Sequence, residues 1–251
     1  MSNPVVPPPN AQDSQKEIGT KKEHVSVQKW SKFVRILKYF FLSAIILTII
    51  EIGLAYWLVS SRWHLLLSNE EMEEYAQKVM QAKPMPENFM RVYTALFPNH
   101  VNTTLTQQVF VNYGTRFLFR HTELDDKPHC MCDMVYDIQK KRHQELEDVE
   151  WDGRLQDLEF GFGIEKYASP EKCFHYVMQF RVPELLNQLS NRQYGHLKNK
   201  AVSSMNDEEL LELILLLKNR ARYSRHKNPA RFEKALAHYR ERLQEHMDKA
   251  N

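Results

Sequence analysis

The side chains best suited to chemistry form a short run of sulfur, imidazole and carboxylate groups. His129, Cys130, Cys132 and Asp133 share one stretch, and Cys173 lies farther along the chain. Thiolate and imidazole are preferred zinc ligands, but zinc sites usually place about two to four residues between paired cysteines, and here there is one. Two other interpretations stay open: a disulfide to Cys173, or buried, unpaired cysteines at the start of a helix. We favour unpaired cysteines and assign no metal ligand.

A second candidate is a basic stretch near the C-terminus. Its members are Arg220, Arg222, Arg225, His226 and Lys227. Clustered cations attract anions, so this stretch suits a diphosphate or a lipid headgroup. The alternative is a solvated loop with no ligand.

Several classes of function find no support in the sequence. There is no G-x-S-x-G motif and no phosphate-cradling glycine loop. The net charge of +2 is too small to indicate a nucleic-acid partner. The chain has 3 cysteines, an odd number that gives no disulfide framework.

All these groups follow one uninterrupted apolar segment, Tyr39 to Ser60, whose single formal charge is Glu51. A helix of this length crosses the roughly 30 Å hydrocarbon core of a bilayer. No small-x-small cleavage site follows, so we predict an uncleaved anchor in the lipid bilayer. A carboxylate at mid-span is costly, which favours a contact between Glu51 and another membrane protein. The alternatives are protonation or a tilted helix.

Charge on the two sides of the apolar segment predicts its orientation. Lysines and an arginine fill the flank from Lys16 to Lys38, whereas the other flank carries Arg62 and the acidic run Glu70–Glu74. Positive charge stays in the cytoplasm, so we predict an inner N-terminus and a main domain outside the cytoplasmic membrane.

After the anchor the pattern predicts helix after helix and no strand series. The helix starts are marked by Asn69 as a cap, by Ser169-Pro170, by Asn206 with Glu209, and by Asn228-Pro229. The run Leu210–Leu217 is apolar on nearly every face, so its helix should be buried. We therefore predict an all-α protein with a disordered tail at residues 1–33, an anchor helix at 34–62 and one helical domain at 63–251.

Further elements are predicted less directly. Helical spacing covers Glu87–Phe97, Thr103–Phe119 and Met131–Glu147, and Pro183 should kink or end the helix that contains it. Clustered glycines predict an irregular stretch from Gly153 to Gly163. The final helix should bury a stripe made of Phe232, Leu236, Tyr239, Leu243 and Met247.

Three segments, taken together, resemble one enzyme family. Residues 103–108, T-T-L-T-Q-Q, with Asn112 after them, look like the S-T-I-T-Q-Q-x-x-K-N segment of family 51 peptidoglycan glycosyltransferases. Residues 164–169, I-E-K-Y-A-S, are similar to that family's L-E-x-x-x-S. Residues 205–229, with R-Y-S and N-P, resemble its S-R-Y-N-P and N-P-E-R region. The resemblance covers roughly residues 85–245.

The resemblance implies a lysozyme-like helical domain beside the membrane. The implied substrate is a lipid-linked disaccharide, joined to a growing glycan strand as a lipid diphosphate leaves. Such a reaction needs a carboxylate base near the acceptor hydroxyl, and cations or a divalent metal ion at the diphosphate. The resemblance assigns substrate binding to Thr106, Gln107, Gln108, Asn112, Arg154 and Arg222.

The chain departs from the family where the chemistry should lie. The family's catalytic motif, E-D-x-x-F-x-x-H-x-G, is not recognisable, which leaves Glu71 and Glu87 as candidate bases and Asp157 as a further catalytic acid. The family's paired glycines are replaced by residues 101–102, V-N, and a lysine of its Q-Q-x-x-K-N segment is Val111. Losing one general base costs roughly 10²–10⁴-fold in rate.

Two functions therefore follow from the sequence. One is a divergent glycosyltransferase of periplasmic cell-wall synthesis. The other is a pseudoenzyme, an envelope scaffold or accessory protein that binds glycan, lipid-linked precursor or a membrane partner through the same fold. The first predicts a cleft where Glu71, Glu87 or Asp157 meets Gln107, Gln108 and Arg154, and the second predicts a cleft without acids. An unrelated helical anchor protein is a third alternative.

Overall fold

The computed structural model describes the backbone of residues 11–118, 129–142, 146 and 155–250. Side chains are described for the same residues except 11–33, 35, 36, 112–118 and 250. The chain divides into two compact units, Met1–Trp57 and Leu58–Asn251. Every regular element in the described residues is a helix, which confirms the all-helical class. The lysozyme-like arrangement stays a prediction.

The first unit holds most of helix α1 (Ala11–Ser61). The segment Leu37–Leu65, which begins in α1, is long and apolar enough to cross a membrane; its most apolar 18-residue window has a mean hydropathy of 2.1, and none of that window is buried in the protein. In the described part of the chain it is the single helix of this kind. Exposed apolar side chains along a helix of this length are consistent with a single-pass membrane anchor.

The structure differs from the sequence prediction in the N-terminal tail. Composition predicts disorder for residues 1–33, whereas α1 is helical from Ala11 onward; residues 1–10 lie outside the described part. No proline interrupts the chain between Pro9 and Pro84. Once the apolar segment has nucleated a helix, each added residue extends it at little cost.

The described part of the second unit is a bundle of short helices. They are α2 (Asn69–Met80), α3 (Glu87–Leu96), α4 (Leu105–Leu118), α5 (Val135–Lys140), α6 (Gln156–Glu165), α7 (Pro170–Gln188), α8 (Asn191–Lys198), α9 (Asp207–Asn219) and α10 (Pro229–Ala250). The described residues also include the 3-10 helices Arg62–Leu65, before α2, Met131–Met134, before α5, and Val202–Ser204, before α9.

Capping residues explain where several of these helices start. Ser169 accepts a hydrogen bond from Lys172 N, and Asn206 forms a capping box with Glu209, as predicted. The predicted cap of α2 is wrong by one residue: Ser68 is the cap, and Asn69 is the first helical residue. Both side chains can cap, but only Ser68 stands three residues before a glutamate that completes the box.

The core centres on α9, which contacts α3, α7 and α10. Residues 210–216 are buried, so the predicted central position of this run is confirmed. On α10, Phe232, Leu236, Tyr239 and Leu243 are buried, but Met247 is 41% exposed, against the prediction. Hydrophobic spacing indicates which face of a helix turns inward, but not where its neighbours end.

Two predicted helix boundaries also change. Pro183 does not end its helix, because α7 continues to Gln188. Packing of α7 against α2, α5, α9 and the 3-10 helix Met131–Met134 outweighs the roughly 3 kcal/mol that an interior proline costs. The predicted helix 131–147 is instead that 3-10 helix followed by α5; residues 143–145 and 147 lie outside the described part.

Candidate functional site

A cavity of about 300 Å³ lies within the second unit, between α3, α7, α9 and the 3-10 helix Met131–Met134. Aromatic rings and methionines form much of its lining, led by Tyr93, Phe97, Met131, Met134 and Met178. Aromatic and apolar linings with a few polar groups are typical of ligand sites.

Tyr93 anchors the aromatic side of the cavity. Its ring centroid lies 5.1 Å from that of Phe97 and 4.8 Å from that of Phe174. Its Oη is hydrogen-bonded to His100 Nδ1 at 3.2 Å. Burial raises the pKa of Tyr93, so its hydroxyl stays neutral. This wall is thus a rigid, uncharged surface.

Two cationic side chains also line the cavity, and Lys218 Nζ lies 5.9 Å from the ring centroid of Phe97. Arg181 of α7 and Lys218 of α9 both line it, and Arg181 Nη1 donates to Met134 Sδ at 3.5 Å. Partial burial, followed by the charges of Arg222 and Arg242, lowers the pKa of Lys218. Arg222, one of the predicted binding residues, is therefore part of a positive region that includes Lys218. No aspartate or glutamate stands among the described lining residues.

Next to the cavity, the predicted T-Q-Q motif holds the cysteine run in place. Gln108 is buried, its Oε1 accepts a hydrogen bond from Cys130 N, and its Nε2 donates to Asp133 Oδ2 at 2.8 Å. Burial raises the pKa of Asp133, against the opposing charge of His129. The motif's second glutamine therefore links α4 to the 3-10 helix that borders the cavity.

The other residues of this motif lie at the start of α4. Gln107 Oε1 accepts a hydrogen bond from Thr104 N, and Thr104 Oγ1 accepts one from Gln107 N, each at 3.1 Å. Thr106 is partly exposed in the first turn. The side chain of Asn112 and the whole of Arg154 lie outside the described residues. In this part of α4, local capping accounts for Gln107 without a ligand.

The three candidate acids lie outside the cavity lining. Glu71 completes the capping box of α2, and hydrogen bonds from Ser68 lower its pKa. Glu87 is exposed in the first turn of α3. Asp157 is exposed on α6, where partial burial of its carboxyl and then the charges of Asp137 and Asp133 raise its pKa to about 6. The structure thus places them at the starts of three different helices.

The cysteines differ from the favoured prediction. Cys132 and Cys173 form a disulfide with Cα atoms 5.1 Å apart, and Cys130 is a buried free thiol. The prediction of unpaired cysteines is therefore wrong for two of the three. The pairing joins the 3-10 helix to the first turn of α7, a long-range contact that spacing along the chain could not indicate.

Helix α6 approaches this cluster closely because it carries glycine. A Cβ added at Gly161 would lie 2.8 Å from Leu105 Cδ1, 3.0 Å from Cys132 O and 3.1 Å from Asp133 N. The clustered glycines predicted an irregular stretch, but Gly161 and Gly163 are inside a regular helix; Gly153 lies outside the described residues. These two glycines lack a side chain at the points where α6 packs against its neighbours. The prediction of an irregular backbone is therefore wrong for Gly161 and Gly163, because the glycines serve close packing.

Sequence reasoning missed Arg181 in α7 and Lys218 at the end of the apolar run of α9. Their one local signal is a charge beside an apolar run, and that is equally typical of a solvated face.

No protein-family model, no curated protein and no solved structure matches the chain.

Proposed function

We propose that this chain is a single-pass protein of the bacterial cytoplasmic membrane that binds the diphosphate of a lipid-linked disaccharide without polymerising it. The observation that carries the proposal is the cavity lining, which combines aromatic rings and methionines with Arg181 and Lys218 and has no carboxylate among its described residues. In this proposal the resemblance to the glycosyltransferase family applies to the scaffold and not to the glycosyl-transfer reaction.

The charges around the cavity favour an anionic ligand. Partial burial, and after it the charges of Arg222 and Arg242, disfavour the charged form of Lys218. A diphosphate brought between them replaces repulsion with attraction, and Arg181 supplies a planar set of donors that suits phosphate oxygens. The apolar wall suits the sugar face or the first part of the lipid.

The roles of the candidate acids support binding rather than catalysis. A general base must reach the acceptor hydroxyl, within about 3 Å or through one water. Glu71 is committed to the capping box, and neither Glu87 nor Asp157 lines the cavity. In this proposal the N-terminus is cytoplasmic and the second unit faces the periplasm, as the positive flank of the anchor predicts.

Binding is tested with the detergent-solubilised full chain and labelled lipid-linked disaccharide. We expect Arg181→Met and Lys218→Met each to weaken binding about tenfold, because each removes a charge-assisted contact. Lys234→Met makes the same charge change at an exposed position on α10 and should leave binding unchanged. Equal losses in all three variants would indicate a general charge effect and contradict the proposed site.

Catalysis is tested in the same preparation by following glycan polymer. We expect none from the wild type or from Glu71→Gln, Glu87→Gln and Asp157→Asn. The raised pKa of Asp157 favours the second candidate function, a divergent glycosyltransferase, since acid-base catalysts have pKa values near the working pH. Polymer that forms in the wild type and disappears in Asp157→Asn would establish that enzyme.

A further inference from the structure

Three possible metal ligands meet beside the disulfide. Cys130 Sγ, Cys132 Sγ and a carboxylate oxygen of Glu165 all lie within 4.8 Å of one another. Both cysteines are fully buried and Glu165 is partly buried. Zinc–sulfur bonds of about 2.3 Å place tetrahedral ligand atoms roughly 3.8 Å apart, so a small contraction brings these atoms to bonding distance.

The disulfide adds a fourth ligand to this group. Cys173 is bonded to Cys132, so its sulfur lies next to that member of the group, and it is fully buried as well. We define the zinc cluster as Cys130, Cys132, Cys173 and Glu165. With the bridge closed, two of its sulfurs are bonded to each other and cannot act as thiolate ligands.

The geometry points to a site for one Zn²⁺ ion that forms when the Cys132–Cys173 bridge is reduced. A dithiol reductant supplies two electrons and two protons, which break the S–S bond and leave two thiols, while the reductant becomes its own disulfide. Zn²⁺ then binds three thiolates and the Glu165 carboxylate, and the three thiols release their protons. Oxidation of the same two sulfurs removes the site.

Surrounding contacts hold the ligands in place before a metal arrives. Leu105 N donates to Glu165 Oε1 at 2.8 Å, and Gln108 accepts a hydrogen bond from Cys130 N. Cys132 N donates to Cys130 Sγ at 3.5 Å, which orients that sulfur. Supporting contacts of this kind are typical of protein metal sites and contribute strongly to affinity.

The helices around the zinc cluster also restrict its movement. The cluster draws on the 3-10 helix Met131–Met134 and on α6 and α7, and its strongest packing contact is between α6 and that 3-10 helix. Gly161 lets α6 lie directly against Cys132 O. Reduction therefore frees two sulfurs inside a framework that still holds them together, which is the condition for a compact four-ligand site.

The test titrates Co²⁺, a spectroscopic substitute for Zn²⁺, into the full chain in detergent, before and after reduction by a phosphine. We expect one Co²⁺ per reduced chain with the absorption of tetrahedral thiolate coordination, displaced by Zn²⁺, and none in the oxidised chain. Cys130→Ser should weaken Co²⁺ binding at least about tenfold, because losing a contact that only supports a metal ligand already weakens binding by about that much. Circular dichroism checks that each form is helical.

Glu165→Gln decides the case if Cys130→Ser does not fold. The amide oxygen keeps the hydrogen bond from Leu105 N and loses the anionic ligand, so binding should again weaken at least about tenfold. Glu184→Gln, an exposed carboxylate on α7, should bind as the wild type does. The proposal is overturned if reduced wild type gives no tetrahedral spectrum, if the oxidised chain binds equally well, or if Glu165→Gln binds with unchanged affinity.

Discussion

Two neighbouring regions of the second unit are built in opposite ways. Around Gly161 the helices are so close that a single added carbon would lie 2.8 Å from the Leu105 side chain and 3.0 and 3.1 Å from backbone atoms, whereas between α3, α7 and α9 about 300 Å³ is left open. Their charges differ as well: the first region raises the pKa of the carboxyls Asp157 and Glu165, and the second lowers that of Lys218. In the first region, tight packing holds the cysteine sulfur atoms in fixed positions. In the second, the open space beside Arg181 and Lys218 can accept an anion.

The largest effect should come from the disulfide of the packed region. Cys173→Ala removes a link across 41 residues and should lower the free energy of unfolding by about 4 kcal/mol, because the unfolded chain regains the entropy of an open loop. Chemical unfolding of oxidised protein, with a chelator present, measures it. Cys130→Ala removes a buried sulfur but keeps the bridge, so an equal loss in both variants would contradict this explanation.

The glycines test how tightly the packed region is closed. Gly161→Ala should destabilise by about 1–3 kcal/mol, since the buried Leu105 side chain at 2.8 Å must shift and the backbone atoms at 3.0 and 3.1 Å must give way slightly. Gly163→Ala should cost less, because its nearest atoms belong to the flexible side chain of Met72.

Gly195→Ala is the matched control for these substitutions. Its added carbon has one neighbour, Asn199 Nδ2 at 3.9 Å, so this change should be neutral or slightly stabilising. Thermal unfolding of the three variants gives the order. A cost at Gly195 as large as that at Gly161 would show that helix position, rather than packing, sets the penalty.

The cavity should respond to a lost charge in the opposite direction. Lys218→Met removes a cation whose charged form the protein disfavours, so stability should rise slightly, by less than about 1 kcal/mol at this exposed position. Thermal unfolding at neutral pH measures it, with Lys234→Met as the control. A clear loss of stability would mean that Lys218 supports the fold.

The smallest effect concerns pH and Asp157. A carboxyl whose pKa is raised to about 6 binds more protons in the folded than in the unfolded protein between about pH 4 and pH 6, so its ionisation lowers stability as pH rises through that window. Asp157→Asn removes this loss, and its melting temperature should gain on the wild type from pH 4 to pH 7. The effect is small because the side chain is exposed.

Glu184→Gln provides the control for this pH dependence. It removes an exposed carboxylate from α7, which pairs with Lys141 at 3.6 Å and is not among the charges that shift the pKa of Asp157. Its melting temperature should follow that of the wild type at every pH. A constant difference between Asp157→Asn and the wild type would contradict a raised pKa.

Local signals predicted much of the helical framework. The caps Ser169 and Asn206 and the apolar run of α9 depend on residues within one or two turns, so their positions could be read from the chain. The start of α2 was wrong by one residue because Ser68 and Asn69 are both good caps, and only the reciprocal bond from Glu71 decides between them.

The packed region and the cavity depend instead on contacts far apart in sequence. Nothing near Cys132 marks Cys173 as its partner, and nothing near Gly161 shows that Leu105 will lie against it. Arg181 and Lys218 come from separate helices, and their common cavity exists only after α7 and α9 pack. Of the predicted binding residues, Gln108 took a structural role that its motif did not indicate.

The bridge between Cys132 and Cys173 also makes the second unit a chemical reporter of its own location. Disulfides form and persist in oxidising compartments and are rare in the cytosol, where reductants keep thiols free. Alkylation of intact cells, followed by mass spectrometry of the protein, would show whether the Cys132–Cys173 bond is closed. A closed bridge means that the unit has crossed the bilayer into an oxidising compartment, and three alkylated cysteines mean that it lies in the cytosol.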